Sequence, residues 1–401
     1  MAKNVIKVAP EKFPWLDLRR YTFSMGTERH GVTYVSGQTA SAFDAKEGHV
    51  VCKGDILEQA KVVWQKIGVV LESAGLTYDN IVKINQYVDP KGMAKLSQLA
   101  EIRKQFAGDT PIAVTTILVH NLLRNDALLE ISSIAVRDPK KSIMPSEFQA
   151  AKPSQAPGIL AGNRIWLSGV AGAEKGPTGN EHYAEQAILQ TERAYQQAEA
   201  VLKAAGATRA NVAHEMMYVS PQGYPHYADT RQVRRNFYKG APPAVGTFSP
   251  YQLPASPNAQ VEIDLTATIG LAREEVKVPG WEKSYQELGA APAVKSGNLL
   301  YFSAQGPVDH RTGQVVGNDV VAQGRKAYQN IAEICAIGGY DMSDILYTIE
   351  YMPPGAVEEY RGIGGVRREF FGDSFPSATG VLIHALPDPR ALIYVSAVAV
   401  V

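Results

Sequence analysis

Three stretches decide the reading of this chain: GVTYVSGQ at 31–38, NRIWLSGV at 163–170 and NLLYFSAQ at 298–305. Each is an aromatic-rich apolar run reaching a serine, the composition of a half-buried strand. Downstream, each is followed by a polar Gly-rich stretch and a segment carrying Gln59, Gln190 or Gln323. Those segments close on Gly75, Gly206 and Gly339, each 16 residues after its glutamine. A tyrosine in a further strand-like run, Tyr87, Tyr218 or Tyr351, follows 12 residues later every time. Ungapped agreement over that span marks an internal repeat. Pro111, Pro243 and Pro376 put the period at 132 and 133 residues, and each copy closes with an apolar strand, ALLEISSIAV, AQVEIDLTATI or ALIYVSAVAV.

The repeats divide the 401 residues into three modules, 1–140, 141–275 and 276–401, joined by the polar stretches RDPKKSIMPSE and GLAREEVKVPGWEK. Within the first, Ile56, Ala60, Val63, Ile67, Val70 and Leu71 fall near 3.6-residue spacing, which predicts an amphipathic helix laid on a sheet. Gly75 suits a left-handed cap at its end. Each module reads as strand, strand, helix, strand, helix, strand, strand, an α+β unit with both helices on one face of a mixed sheet. The other sheet face is apolar too. Three copies can cover it for one another around a pseudo-threefold axis, as a homotrimer would with separate chains, leaving clefts between copies as natural sites.

Composition excludes several classes. Lys plus Arg and Asp plus Glu both number 40, so the formal charge is zero, against the basic excess of proteins that live on nucleic acid. Cys52 and Cys335 are too few for a disulfide framework. No window is long and apolar enough to span a membrane, and the N-terminus has no apolar signal core, so a cytoplasmic protein is expected. The eight histidines form no HxH, HExxH or Cys/His cluster, so no metal is expected. His120 and His384 occupy equivalent strand ends, where a capped structural role is favoured. The run Gly362-Ile363-Gly364-Gly365 does not follow a strand and reads as close helix packing rather than a phosphate loop.

Taken together, the strand ending Ser-Gly-Gln, the helix with its Gln, the AAG-type cap, the tyrosine strand, the proline and the VEIxAIA-like last strand resemble the RidA/YjgF family, three times over. The resemblance implies chorismate-mutase-like modules arranged as a single-chain pseudo-trimer, with further dimerisation left open, a small-molecule cleft at each interface and no cofactor. It also implies hydrolysis of reactive enamines and imines to a keto acid and ammonia. Carried over by position, the cleft-lining Ser-Gly pair is Ser36 and Gly37, then Ser168 and Gly169, while the third copy keeps Ser303 but has Ala304. The glutamate that positions water is Glu130 and Glu262, with Tyr394 in its place in the third copy. An N-terminal tyrosine of the family falls at Phe23, Gln155 and Ala290. The family's carboxylate-binding arginine falls at Ala113, Ala244 and Ala378, so no copy keeps a guanidinium there, and only Arg could offer that bidentate fork.

From the residues themselves, Glu130 in LLEISSI is an acid among apolar neighbours, and needs a partner or a purpose. It reads as a general base with a raised pKa, against the plainer reading of a solvated edge residue; Glu262 reads the same way. Ser36 and Ser168 lie in no nucleophile elbow and have no His partner, so a hydrogen bond to a ligand is favoured over nucleophilic attack. Arg124 and Arg390, before the final strands, are conceivable replacements for the missing arginine, although ordinary surface positions suit them better. The expected function is a cofactor-free hydrolase of C–N bonds acting on a non-standard substrate, uncharged at that point or anchored otherwise. The alternatives are a non-catalytic regulatory or chaperone-like binding protein, and a ring-opening amidohydrolase with threefold pseudo-symmetry, for which no repeated Ser-Lys pair speaks. A ribonuclease role is disfavoured by the neutral charge.

Overall fold

The computed structural model describes residues 3–17, 20–145, 156–175, 181–183 and 185–400. Gln155 lies outside them. Each repeat builds one mixed sheet in the same order. In repeat one the neighbours are Asn4–Val5, Gly26–Arg29, Val32–Thr39, Leu129–Val136, Ile81–Val88 and Ala113–Leu118. All pairs are antiparallel except Ile81–Val88 with Ala113–Leu118. That parallel pair is joined by the helix Leu99–Ala107, the crossover a parallel connection requires. The strand Lys140–Ile143 leads into the sheet of repeat two, and Arg273–Val276 into that of repeat three.

The long helices, Ile56–Ser73, Ala187–Ala204 and Val320–Gly338, lie where the periodicity places them. Ile56, Ala60, Val63, Ile67, Val70 and Leu71 are all buried. Asp55 caps the first helix, accepting from the amides of Leu57 and Glu58, while Glu58 closes the capping box. Gly75, Gly206 and Gly339 have φ of 67°, 77° and 77°, the left-handed conformation in which a Cβ is strained. Gln59, Gln190 and Gln323 are buried staples: their side-chain oxygens accept from the amides of Leu128, Gln260 and Leu392. The repeated glutamine therefore ties each helix to the start of its last strand.

The sheet faces turned away from the helices meet residues of the other repeats. Tyr34 stacks on Tyr347 with centroids 5.4 Å apart, His214 on Tyr301 at 5.9 Å, and Phe248 on Tyr351 at 3.7 Å. Between them Lys83 and Asp264 form a buried ion pair of 2.6 Å that joins repeats one and two, with Thr115 on the same carboxylate. His120 and His384, equivalent as expected, are exposed rather than capped; the ring of His120 sits 6.3 Å from that of Tyr251. Among the described residues no helix is long and apolar enough to cross a membrane, and no group of three or more His, Cys, Asp or Glu is placed to hold a metal.

Candidate active site

The serines after the early strands define the junctions between repeats. Ser36 Oγ donates to Ser24 O (2.5 Å) and accepts from the amide of Ala378 in repeat three (2.8 Å). Ser168 does the same with Ala156 O and Val114 N, and Ser303 with Ala291 O and Val245 N. Repeat one thus meets two, two meets three, and three meets one through one repeated pair of bonds. Each hydroxyl spends its only proton inside the protein, and all three serines are buried. Ser36, Ser168 and Ser303, the residues expected to bind ligand, peg the junctions between repeats. The following amides are also occupied, Gly169 N by Val114 O and Ala304 N by Val245 O. Gly37 N donates instead to a side chain, Thr379 Oγ1, at 3.1 Å.

The same bonds locate the position of the missing arginine. Ala378 is equivalent to Val114 and Val245, not to Ala113 and Ala244, because the amides of those three residues meet the three serines. The shift is one residue in copies one and two. No guanidinium occupies the position under either assignment.

Glu130 and Glu262 sit beside these junctions on the last strands. A Cβ placed on Gly37 would lie 1.8 Å from Glu130 Oε1, and one on Gly169 would lie 2.0 Å from Glu262 Oε1. Each glycine is therefore the space its glutamate occupies. Copy three, with Tyr394 in place of the acid, carries Ala304 in place of the glycine. Glu130 is 6% exposed, and among the described residues no hydrogen bond or ion pair reaches its carboxylate. Burial pushes its pKa up to about 8, with the Lys66 ammonium opposing. Glu262 is likewise pushed up to about 8, chiefly by burial and then by Asp264, with Lys83 opposing. Glu130 is thus a buried acid rather than a solvated edge residue, with free lone pairs and a pKa suited to moving protons near neutral pH.

Glu130 opens onto a cavity of about 700 Å³ between repeats one and three. Repeat one contributes Phe13, Trp15, Tyr21 and Phe23, together with Gly37, Thr39, Lys66 and Arg124. Repeat three contributes Tyr360, Arg361, Gly364, Gly365, Arg367, Arg368 and the strand residues Ala378–Gly380. Gly364 and Gly365 thus line the cavity instead of packing a helix; of that run, Gly362 makes the tight approach, where a Cβ would meet Val321 at 2.5 Å. Among the described residues Glu130 is the sole carboxylate in the wall, facing several cations.

Arg367 is the cation best held. Its Nε donates to Glu350 Oε1 at 2.9 Å, its Nη2 reaches Glu350 and Tyr360, and its Nη1 crosses to Thr22 Oγ1 of repeat one at 3.2 Å. Burial would lower its pKa, but the Glu350 carboxylate raises it well above the usual range. Four of its five N–H groups are used, which leaves one for a ligand. Its equivalents, each 16 residues after the repeat tyrosine, are Arg103 and Arg234. That spacing was present in the sequence and overlooked. Arg124 lines the cavity too, with Asp126 at 3.3 Å, whereas Arg390 pairs with Asp388 and is exposed.

The other two clefts differ. The one served by Tyr394 is smaller, about 300 Å³, and Tyr285, His310 and Arg231 share its wall. Burial pushes the Tyr394 phenol far above its ordinary pKa, so it cannot act as a base at neutral pH. The counterpart of the 13–24 segment beside Glu262 is 145–156, almost all outside the described residues.

The comparisons agree with this architecture. The family described as Endoribonuclease L-PSP matches residues 18–137, 144–269 and 288–401. A RutC family protein of Pyrococcus horikoshii is 32% identical over 107 residues, covering 27% of this chain and 82% of that protein. A 2-iminobutanoate/2-iminopropanoate deaminase of Capra hircus is 27% identical over 95 residues, 24% of this chain and 68% of that protein. Among solved structures, a chorismatase matches 80% of this chain and 93% of its own at 14% identity, with a TM-score of 0.53, a likeness of fold. A YjgF/YER057c/UK114 family member from Mycobacterium tuberculosis is 25% identical and covers 32% of this chain, with a TM-score of 0.28. With its modules recognised three times from end to end, the chain belongs to the RidA/YjgF (Endoribonuclease L-PSP) family.

Proposed function

We propose that this protein hydrolyses the C=N bond of small enamine- or imine-derived substrates in the cleft between repeats three and one. The observation that carries the reading is Glu130: buried, without a hydrogen-bond or ion-pair partner among the described residues, and facing a cavity of about 700 Å³. In this reading the carboxylate takes a proton from water as the water oxygen attacks the imine carbon. The proton passes to nitrogen to give a carbinolamine; the carboxylate then moves the hydroxyl proton to the amine, the C–N bond breaks as the C=O bond forms, and ammonia and a carbonyl compound leave. Relatives named 2-iminobutanoate/2-iminopropanoate deaminase, in goat and human, support the reaction class. The arginine missing from the strand position is answered by cations from elsewhere, Arg367 above all, and an anionic substrate fits that wall better than a neutral one. The three modules act as a single-chain counterpart of a trimer, in which Glu262 marks a second working cleft and Tyr394 a non-hydrolytic one.

The test is ammonia release from freshly generated 2-iminopropanoate and from neutral imines. Release that favours the anion and is lost in Glu130→Gln supports the assignment. Release unaffected by Glu130→Gln moves the chemistry to the Glu262 cleft or elsewhere. A binding-only reading is favoured by one observation, that the junction hydroxyls and the Gly37 amide are already bonded within the protein. Ligand affinity without turnover, equal in wild type and Glu130→Gln, would establish it.

A further inference from the structure

Seven residues after each repeat glutamine, the long helix sends a side chain to the segment leaving the early strand. In repeat two it is Gln197, whose Nε2 donates to Ala173 O at 2.6 Å. In repeat three it is Asn330, whose Nδ2 donates to Gly306 O and Val308 O at 3.1 and 2.9 Å. In repeat one it is Lys66, whose Nζ donates to Thr39 O and Ser41 O, both at 2.8 Å, and to Ser41 Oγ at 3.0 Å. The staple is the same, and two copies make it with a neutral amide. The fold therefore requires a donor at this position but not a charge.

The charge is costly where it stands. Lys66 is 8% exposed, and burial pushes its pKa down to about 8. Three acceptors absorb its three protons, and the rings of Phe13 and Trp15 lie 5.7 and 5.8 Å from Nζ. That setting holds an ammonium. It does not suit an amine nucleophile, whose lone pair would face two carbonyl oxygens.

We propose that Lys66 is a positioning residue whose ammonium favours the carboxylate form of Glu130 and so tunes the acid of the cleft between repeats three and one: both side chains line that cavity, and Thr39, whose carbonyl accepts from Lys66, is the strand partner of Glu130. This rests on the hydrolase reading above. The other groups near Glu130 are accounted for. Tyr87 on the neighbouring strand and Tyr347 of repeat three are neutral phenols held above their ordinary pKa. Arg124 carries its own counter-ion, Asp126, and Arg367 carries Glu350. Arg20 has Asp17, and Arg361 and Arg368 come from the opposite wall. Cys52 is pushed up by burial and stays a thiol. Lys66 is the one group that opposes the burial of Glu130. Glu262 has Gln197 at that position, and the cation that opposes its burial is Lys83 of repeat one, which is already paired with Asp264.

The test compares Lys66→Gln, the side chain repeat two already uses, with Lys66→Arg. The carboxyl titration of Glu130 is read by infrared difference spectroscopy against Glu130→Gln, beside the pH–rate profile. Lys66→Gln is expected to keep the wild-type melting temperature. It should move both the titration and the rising limb of the rate profile to higher pH by about one unit, the usual effect of losing one nearby opposite charge. Lys66→Arg should restore them. An unmoved Glu130 titration in Lys66→Gln overturns the proposal, whatever happens to the rate. Should Lys66→Gln fail to fold, the wild type decides: with the two groups titrating in one range, each curve must show two coupled steps, and a single independent step for Glu130 also overturns it. If Glu130→Gln keeps full activity, the assignment of hydrolysis to this cleft fails, while the titration still judges Lys66.

Discussion

Substituting Gly37 by alanine separates catalytic geometry from stability, and its effect can be worked out from the structure. The added Cβ would lie 1.8 Å from Glu130 Oε1, 2.8 Å from Cδ and 3.0 Å from Cγ. Three consecutive atoms of one flexible side chain are in the way, with no backbone among them, so the relief is a rotation of Glu130. Leaving a rotamer well costs about 0.5–1.5 kcal/mol, and the repacking that follows keeps the total near the low end of overpacking costs, about 1–2 kcal/mol. Catalysis should suffer far more. Displacing a general base by about 1 Å costs on the order of 100-fold in rate, equivalent to about 2.7 kcal/mol. The assay is kcat/KM for ammonia release beside urea denaturation, with Gly37→Ala and Gly169→Ala made in parallel. Gly169→Ala makes the same clash with Glu262, at 2.0 Å, and should show a like stability loss with a smaller loss of rate. The double variant Gly37→Ala/Glu130→Ala should be more stable than the sum of its single changes, since the clash is gone. A Gly37→Ala protein with wild-type kcat/KM would refute the placement of Glu130 as the base.

The buried ionisable groups make further predictions. Glu130 and Glu262 titrate near 8 when folded, against an ordinary 4.5, so the folded state binds more protons and stability falls as pH rises from about 4.5 to 8. Glu130→Gln should flatten that slope in denaturant midpoints measured across pH, by on the order of 3 kcal/mol at pH 7. Lys3, Lys66 and Lys140 are each pushed down to about 8; here the unfolded state binds more protons, and stability should recover between pH 8 and 10. Asp264→Asn leaves Lys83 buried without its counter-ion and should cost about 3–5 kcal/mol, most of which is regained in Lys83→Met/Asp264→Leu. Arg103 is 2% exposed with its Nε and one Nη unpartnered, while its equivalent Arg234 holds Glu215 at 2.7 Å. Arg103→Met should therefore stabilise by about 1–3 kcal/mol and Arg234→Met should destabilise by about 3–5 kcal/mol, both read by chemical denaturation.

Much of the fold was legible because its determinants are local. The helix periodicity from Ile56 to Leu71, the glycines that must adopt positive φ and the alternation of the last strands all lie within short windows, and three copies multiplied the signal. Glu130 was legible for the same reason, as an acid in an otherwise apolar strand. The junction role of the serines was not legible because the partners of Ser36 lie 12 and 342 residues away, and no window contains both. The arginine position slipped by one residue because the junction amide lies three residues after Pro111 but two after Pro243 and Pro376, and because copy two has two adjacent prolines, Pro242 and Pro243, from which to count. Arg367 and Lys66 escaped notice although their spacing was visible. A sequence pattern shows that a position recurs, but only packing shows that one copy has placed a charge where its siblings have an amide or a spent salt bridge.

That last contrast explains what a fused chain can do that identical subunits cannot. In a homotrimer any substitution enters all three clefts together, so a buried cation that helps one carboxylate is imposed three times. Here the structural part of each position is kept and the chemical part varies. The helix staple is Lys66, Gln197 or Asn330; the strand pair is Gly37 with Glu130, Gly169 with Glu262, or Ala304 with Tyr394; and the buried arginine holds a glutamate in copies two and three but none in copy one. The variations are coupled within copies, since Tyr394 arrives with Ala304 and Lys66 with Glu130. Coupling of this kind is what steric and electrostatic necessity produces. A glycine is needed only where a carboxylate must fit beside it, and a buried ammonium costs least where acceptors and a carboxylate lie near it. Exchanging the pairs tests the point directly. Ala304→Gly/Tyr394→Glu should fold, and its new glutamate, lacking a lysine at 330, should titrate above Glu130. Adding Asn330→Lys should bring that titration down towards the Glu130 value. A new carboxylate that titrates like Glu130 without the lysine would mean that the cation at position 66 contributes nothing the cleft does not already supply.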